Sequence, residues 1–164
     1  MKKVVLLLLF TLLVSVLYLS EDNKQSIETG TEAKIPNPWV EVSDIKEINK
    51  QLGANFEIVS PKGFKVDYMA MGLQSLIDDG TIKPSGKIIY KNGKKEITLQ
   101  IIKCLDLFNY ARINYEPVSN SSIHAFYDPD TKRIIYAEGE YTILVDVNEM
   151  EQDFSLVGIA KLKK

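Results

Sequence analysis

Lys87-Ile88-Ile89-Tyr90-Lys91-Asn92-Gly93-Lys94-Lys95-Glu96-Ile97-Thr98-Leu99-Gln100-Ile101-Ile102 is the stretch that decides the fold class. Two runs rich in β-formers flank Asn92-Gly93, a pair suited to a type I′ turn because both central residues of that turn need positive φ. In the outgoing run Ile97, Leu99 and Ile101 share one side, opposite Thr98 and Gln100. This is the period of two expected of a half-buried strand. The stretch predicts an antiparallel hairpin.

Further strands extend from it in both directions. Upstream, Phe56-Glu57-Ile58-Val59 reads as a short strand ended by the turn Pro61-Lys62-Gly63. Phe64, Val66, Tyr68 and Ala70 then alternate with Lys65, Asp67 and Met69, as in a strand with one buried face. Residues 72–86 are less regular: Leu73, Leu76 and Ile77 fit one helical turn or the end of a strand plus a loop. Downstream, Leu105 to Tyr110 is ambiguous, and Arg112 to Val118 reads as a strand with Ile113 and Tyr115 on one face. Ile123–Tyr127, Arg133–Ala137 and Tyr141–Val147 follow as strands, joined by turns at Asp128-Pro129-Asp130-Thr131 and Glu138-Gly139-Glu140.

Helices are expected at both ends of this run. Ser43 or Asp44 caps the first, Asp44 and Glu47 have capping-box spacing, and Gly53 stops it. Ile45, Ile48 and Leu52 mark its apolar face. Met150, Phe154 and Val157, at i, i+4 and i+7, predict a C-terminal helix ending in Lys161, Lys163 and Lys164. The fold class is therefore α+β: a curved antiparallel β-meander of six to eight strands, with a short N-terminal helix and a C-terminal helix, behind an N-terminal hydrophobic anchor helix.

The anchor is read from Val4 to Leu19, which contains no charge and lies between Lys2-Lys3 and Ser20-Glu21-Asp22. As a helix, the window Val4–Ser20 spans about 25 Å, just under the ~30 Å hydrocarbon core of a bilayer. The two lysines orient its N-terminus toward the cytoplasm. Signal cleavage wants small residues at −3 and −1, but a cut after Ser20 leaves Tyr18 at −3 and a cut after Ser15 leaves Leu13. No lipobox cysteine follows. Residues 1–20 are thus a signal anchor or signal peptide, with retention expected and secretion after cleavage the alternative. Residues 21–35, rich in Ser, Thr, Glu and Lys, form a flexible tether. Residues 36–164 form a single extracytoplasmic domain, a size that buries a core without disulfides.

Charge and cysteine content exclude several functions. Without Lys2 and Lys3 there are 18 basic against 22 acidic side chains, a net charge of −4 that argues against nucleic-acid binding. The single cysteine, Cys104, leaves no internal disulfide, and with one histidine, His124, there is no Cys/His zinc cluster. No Gly-rich phosphate loop, HExxH or GxSxG motif occurs, so no metal or cofactor is expected. Cys104 reads as a small buried apolar residue. His124 follows Ser121 and Ser122, but neighbours on a strand point to opposite faces, so no catalytic residue is assigned. Asp128-Pro129-Asp130 opens like a calcium loop, yet Arg133 and Gly139 stand where that loop needs Gly and Glu. It reads as a turn.

Two groups of residues suggest binding. Lys83, Lys87, Lys91, Lys94 and Lys95 concentrate positive charge around the hairpin in an otherwise acidic domain. They suit an anionic partner, such as lipid headgroups or a wall polymer, or else guard a solvated hairpin against edge pairing. Tyr68, Tyr90, Tyr115 and Phe126 could line a concavity for an apolar or sugar ligand, or serve as core.

The layout resembles a domain-of-unknown-function family of exported or membrane-tethered proteins from Gram-positive bacteria. The resemblance rests on Asn37-Pro38-Trp39, the helix Ser43–Gly53, Pro61-Lys62-Gly63-Phe64 with Tyr68, and the late strands followed by the helix from Glu149. It covers about residues 36 to 162. Some members look like the extracytoplasmic part of anti-sigma-factor-type regulators, which implies sensing or ligand binding rather than catalysis. Only Met1 to Lys3 precede the hydrophobic run, so no counterpart of the cytoplasmic domain of such regulators is expected. The function expected is a non-catalytic, membrane-tethered binding or sensing module of the cell envelope, with an envelope protein or anionic envelope polymer as partner. The alternatives are a carrier for an apolar ligand and an envelope hydrolase assembled from Asp67, Asp78, Asp79 or Asp106 with His124.

Overall fold

A computed structural model describes residues 39–76, 81–119, 121–148 and 153–163. The proposed anchor and tether, Asp78, Asp79 and the start of the expected C-terminal helix lie outside these residues. No described helix is long and apolar enough to cross a membrane.

The fold is a mostly antiparallel, open sheet with two helices. In chain order the elements are β1 (Trp39–Glu41), α1 (Ile45–Leu52), β2 (Phe56–Ile58), β3 (Lys65–Leu76), β4 (Thr81–Asn92), β5 (Lys95–Ile102) and α2 (Asp106–Asn114). They continue with β6 (Glu116–Pro117), β7 (Ala125–Asp128), β8 (Arg133–Glu138), β9 (Tyr141–Asn148), a 3₁₀ turn (Phe154–Leu156) and β10 (Ala160–Leu162). Eight strands form one sheet in the order β1-β3-β4-β5-β9-β8-β7-β6, while β10 and β2 pair separately.

The central hairpin forms with a different turn from the one expected. Asn92 pairs with Lys95, so Gly93 and Lys94 are the central residues. Only Gly93 has positive φ, +60°, the pattern of a type II′ turn with glycine first. Packing selects this register. It sets Tyr90 against Ile97 and Ile88 against Leu99. Turning at Asn92-Gly93 would set Tyr90 against Lys95 instead.

The front face of the sheet holds the larger core. Ile88 and Tyr90 of β4, Ile97, Leu99 and Ile101 of β5, Ile143 and Val145 of β9, and Ile134 and Tyr136 of β8 are all buried there. Helix α1, the β2/β10 pair and the 3₁₀ turn cover this face. Asp44 caps α1 by accepting from the Lys46 N–H at 2.9 Å, and Glu47 accepts from the Ser43 N–H at 3.3 Å. Gly53, with φ +68°, ends the helix. Ile48 and Leu52 are fully buried, each contributing about 1.5–3 kcal/mol. Gly86 lets the helix approach, because a Cβ there would fall inside the Ile48 side chain. Buried Asn49 ties α1 to β2: its Oδ1 accepts from the Phe56 N–H at 3.0 Å and its Nδ2 donates to the Phe56 carbonyl at 3.1 Å.

Three expected elements are corrected. Residues 106–114, read partly as a strand, are helix α2. This segment lacks a Ser, Thr or Asp cap side chain; instead the Cys104 sulfur accepts from the Asp106 N–H at 3.3 Å. The strand expected over Arg112–Val118 shrinks to Glu116-Pro117. The C-terminal helix is replaced, within the described residues, by the 3₁₀ turn and β10, because Ala160–Leu162 pairs with Phe56–Ile58. The irregular stretch 72–86 is largely the continuation of the β3–β4 hairpin, which runs unbroken to Leu76 and from Thr81. A bulge between Val66 and Tyr68 breaks the alternation expected for β3, so these two residues face opposite sides.

Candidate functional site

The back face divides in two. Helix α2 packs against β7, β8 and β9, and Leu107, Phe108 and Tyr115 close over Ile102, Phe126, Ile135 and Leu144. Phe108 meets Phe126 edge-on, with centroids 5.6 Å apart. No described helix covers the other half, formed by β1, β3, β4 and β5.

On that open half, Lys83, Lys87 and Lys91 form a column. They share a face because β4 is continuous and they are spaced by four, so their Cα atoms are ~13 Å apart along the strand. The Lys87 ammonium lies 4.3 Å from the centre of the Trp39 ring. Lys91 reaches Asp67, the bulged residue of β3, at 2.7 Å. Its hydrogen bond to Asp67 and the attraction of that carboxylate raise the Lys91 pKa. Tyr68 and Ile89 are half-buried cross-strand partners on the same face. The Gln100 amide donates to the Gln74 side-chain oxygen, joining β5 to β3 across β4. A column of cations beside a tryptophan and a tyrosine, with amides between, can hold an extended anionic or polyhydroxylated chain.

The structure brings together some of the residues singled out from sequence and separates others. Tyr68, Lys83, Lys87 and Lys91 share the open half. Lys94 is in the turn, and Lys95, opposite Asn92, leaves from the front face; both are exposed. Tyr90 is fully buried in the front core, and its hydroxyl has no hydrogen-bond partner among the described residues. Phe126 lies beneath α2, and Tyr115 is at the end of that helix. The four aromatics therefore do not line one concavity. Trp39, named from the sequence only within Asn37-Pro38-Trp39, also faces this half, with Lys87 over its ring. Its signal is local: an aromatic leading into a short edge strand.

Of the dispersed acids, the described two, Asp67 and Asp106, do not converge either. Asp67 sits near the Glu96 end of β5 and Asp106 follows its Ile102 end, so roughly 20 Å of strand separates them. Asp106 accepts a hydrogen bond from the Cys104 thiol at 3.1 Å. Burial, foremost, raises the pKa of that thiol and keeps it protonated. His124 is exposed just before β7. Among the described residues, no group of three or more His, Cys, Asp or Glu could hold a metal ion.

A second polar cluster lies at the rim of α2. Arg133 donates through Nε and Nη2 to both oxygens of Asp146, at 2.5 and 3.1 Å. Asp128, only 6% exposed, accepts from the Asp130 N–H at 3.0 Å and from the Thr131 hydroxyl at 2.6 Å. This is the turn read from Asp128-Pro129-Asp130. Burial pushes the Asp128 pKa up, but the donors from Thr131, Asp130 and Tyr115 outweigh it and hold the carboxyl below its ordinary value. The cluster is internally satisfied and staples β7, β8 and β9.

No protein-family model, curated protein or solved structure matches the chain.

Proposed function

We propose that this chain is a non-catalytic binding module, tethered at the outer face of the membrane, that holds a linear polyanion of the cell envelope on its open half-sheet. The observation that carries the proposal is the column Lys83–Lys87–Lys91 beside Trp39 and Tyr68. A continuous strand presents charges at a fixed repeat, which suits an extended polymer better than a compact ligand. The aromatic rings supply sequence-tolerant contact area beside the cations. The apolar run Val4–Leu19 supports the tethered location.

The only tryptophan reports on the site, because Lys87 stands over its ring. Full-length protein in detergent micelles should show a saturable change in Trp39 fluorescence when a soluble poly(phosphodiester) is added. Added salt should weaken the binding, because exposed charges are screened over about 8–10 Å at physiological ionic strength. Lys83→Glu with Lys87→Glu should weaken it at least about tenfold by reversing the local field. Equal affinity of this double variant and the parent would overturn the reading.

A further inference from the structure

The β3–β4 hairpin extends beyond the rest of the sheet. Residues 81–84 of β4 pair with β3 but have no partner on β5, whose pairing starts at Ser85. This arm continues the front face past the end of α1, and it carries apolar side chains there. Val40 is 58% exposed, Leu73 52% and Ile82 59%, whereas Ile88, further along the same face, is 3% exposed. Strand register puts the three on one side: Val40 opposite Met71, Leu73 opposite Pro84, and Ile82 two residues from Pro84. Beside them lies a hollow of about 430 Å³ lined by Glu47, Lys50, Gln51 and Met71. Gln51 closes its inner edge, donating to the Gly72 carbonyl at 2.6 Å.

We infer that this arm seats the domain on the lipid surface, with Val40, Leu73 and Ile82 entering the headgroup region. The inference rests on the tethered reading above and adds an orientation to it. The point where the chain enters the domain selects the occupant. Trp39 pairs with Gly72 and Val40 with Met71, so the chain enters at the base of the arm. Nineteen residues, 20–38, separate it from the apolar run, a reach of at most about 65 Å. A tether of that length holds the arm near the bilayer at about millimolar effective concentration, so a surface of weak intrinsic lipid affinity suffices. Lys50 lines the hollow beside the apolar side chains, as a cation does at an anionic interface. Seated in this way, the arm is anchored through its front face while the lysine column on the back face stays open.

The test uses the full chain in phosphatidylcholine vesicles containing phosphatidylglycerol and a lipid spin-labelled near the headgroup. In a Trp39→Phe background, one tryptophan is placed at the arm (Leu73→Trp) or on α2 (Ile113→Trp), where Ile113 is 78% exposed. Quenching at position 73 should exceed that at 113 at least about twofold, and Val40→Glu with Ile82→Glu should remove the difference. Equal quenching at 73 and 113 in protein that floats with the vesicles overturns the seating and leaves the tether intact. Failure to float overturns the tether, and the seating with it. Concentration-dependent cross-linking between arms, with position 73 shielded from both lipid and aqueous quenchers, would make the patch a contact between copies and also overturn the inference.

Discussion

One row of cross-strand neighbours on the back face runs Phe126, Ile135, Leu144, Gln100, Lys87, Ala70, Glu41. Its first three members lie under α2; the other four lie on the open half, the last of them on an edge strand. Every step along the row is an antiparallel pairing, so the pairing itself does not make one half a core and the other a surface. The difference lies in what each strand presents. β7, β8 and β9 offer Phe, Ile and Leu to the helix, while β4 offers lysines. Gln100, 7% exposed and bonded to Gln74, marks the boundary. A sheet face becomes a core only where a second layer has apolar side chains to meet it.

The largest effects should come from breaking the covered half. Phe126→Ala should cost about 3–5 kcal/mol by removing the Phe108 contact and leaving a cavity, measured by denaturant unfolding. A loss below ~1 kcal/mol would mean that α2 adds little to the core. Next is the rim of that half. Asp128→Ala should cost about 1–3 kcal/mol, since hydrogen bonds to a charged acceptor are lost. The folded-state pKa of Asp128 is depressed, so its contribution is fully present above the unfolded value and is lost as pH falls through the folded one. Acid melts of the parent should therefore fall in Tm below pH ~4, and part of that fall should be absent in Asp128→Ala.

The front face provides a control of opposite sign. Tyr90→Phe removes a buried hydroxyl without a partner among the described residues, so it should leave stability unchanged or raise it by up to ~1 kcal/mol. A loss above that would show that the hydroxyl has a bridging water. The smallest effect is expected on the open half, where Lys87→Ala should change stability by no more than about 0.5 kcal/mol, as for an exposed contact. A large loss there would show that the Trp39 stack belongs to the core rather than to a binding surface.

The two halves were unequally legible in the sequence. Period-two alternation in β5, β8 and β9 and the caps of α1 are local signals, and those elements form as expected. The turn was misplaced by one residue because Asn-Gly favours one type locally, while Tyr90 and Ile97 pair only in the other register. Helix α2 was missed because its cap is a thiol and its only fully buried residue is Ala111. The C-terminal strand was missed because apolar residues at helical spacing in 150–157 precede a segment whose partner lies a hundred residues earlier. Which of the residues singled out share one face was only partly legible, for a similar reason. The lysine spacing of four survives in any strand, but which aromatics share its face depends on the bulge at Asp67 and on the placement of α2.

The pairing of β2 with β10 also sets the timing of folding. Among the described residues Phe56–Ile58 has no other strand partner, and the Tyr136 hydroxyl waits on Ala160, whose N–H it accepts at 3.1 Å. A chain that emerges N-terminus first can form α1 and the β3–β4–β5 meander early, yet its front core stays partly uncovered until residue 162 arrives. Completion of the domain is thus gated by its last strand, and a nascent chain stopped before that point remains open to whatever moves or guards unfolded polypeptide.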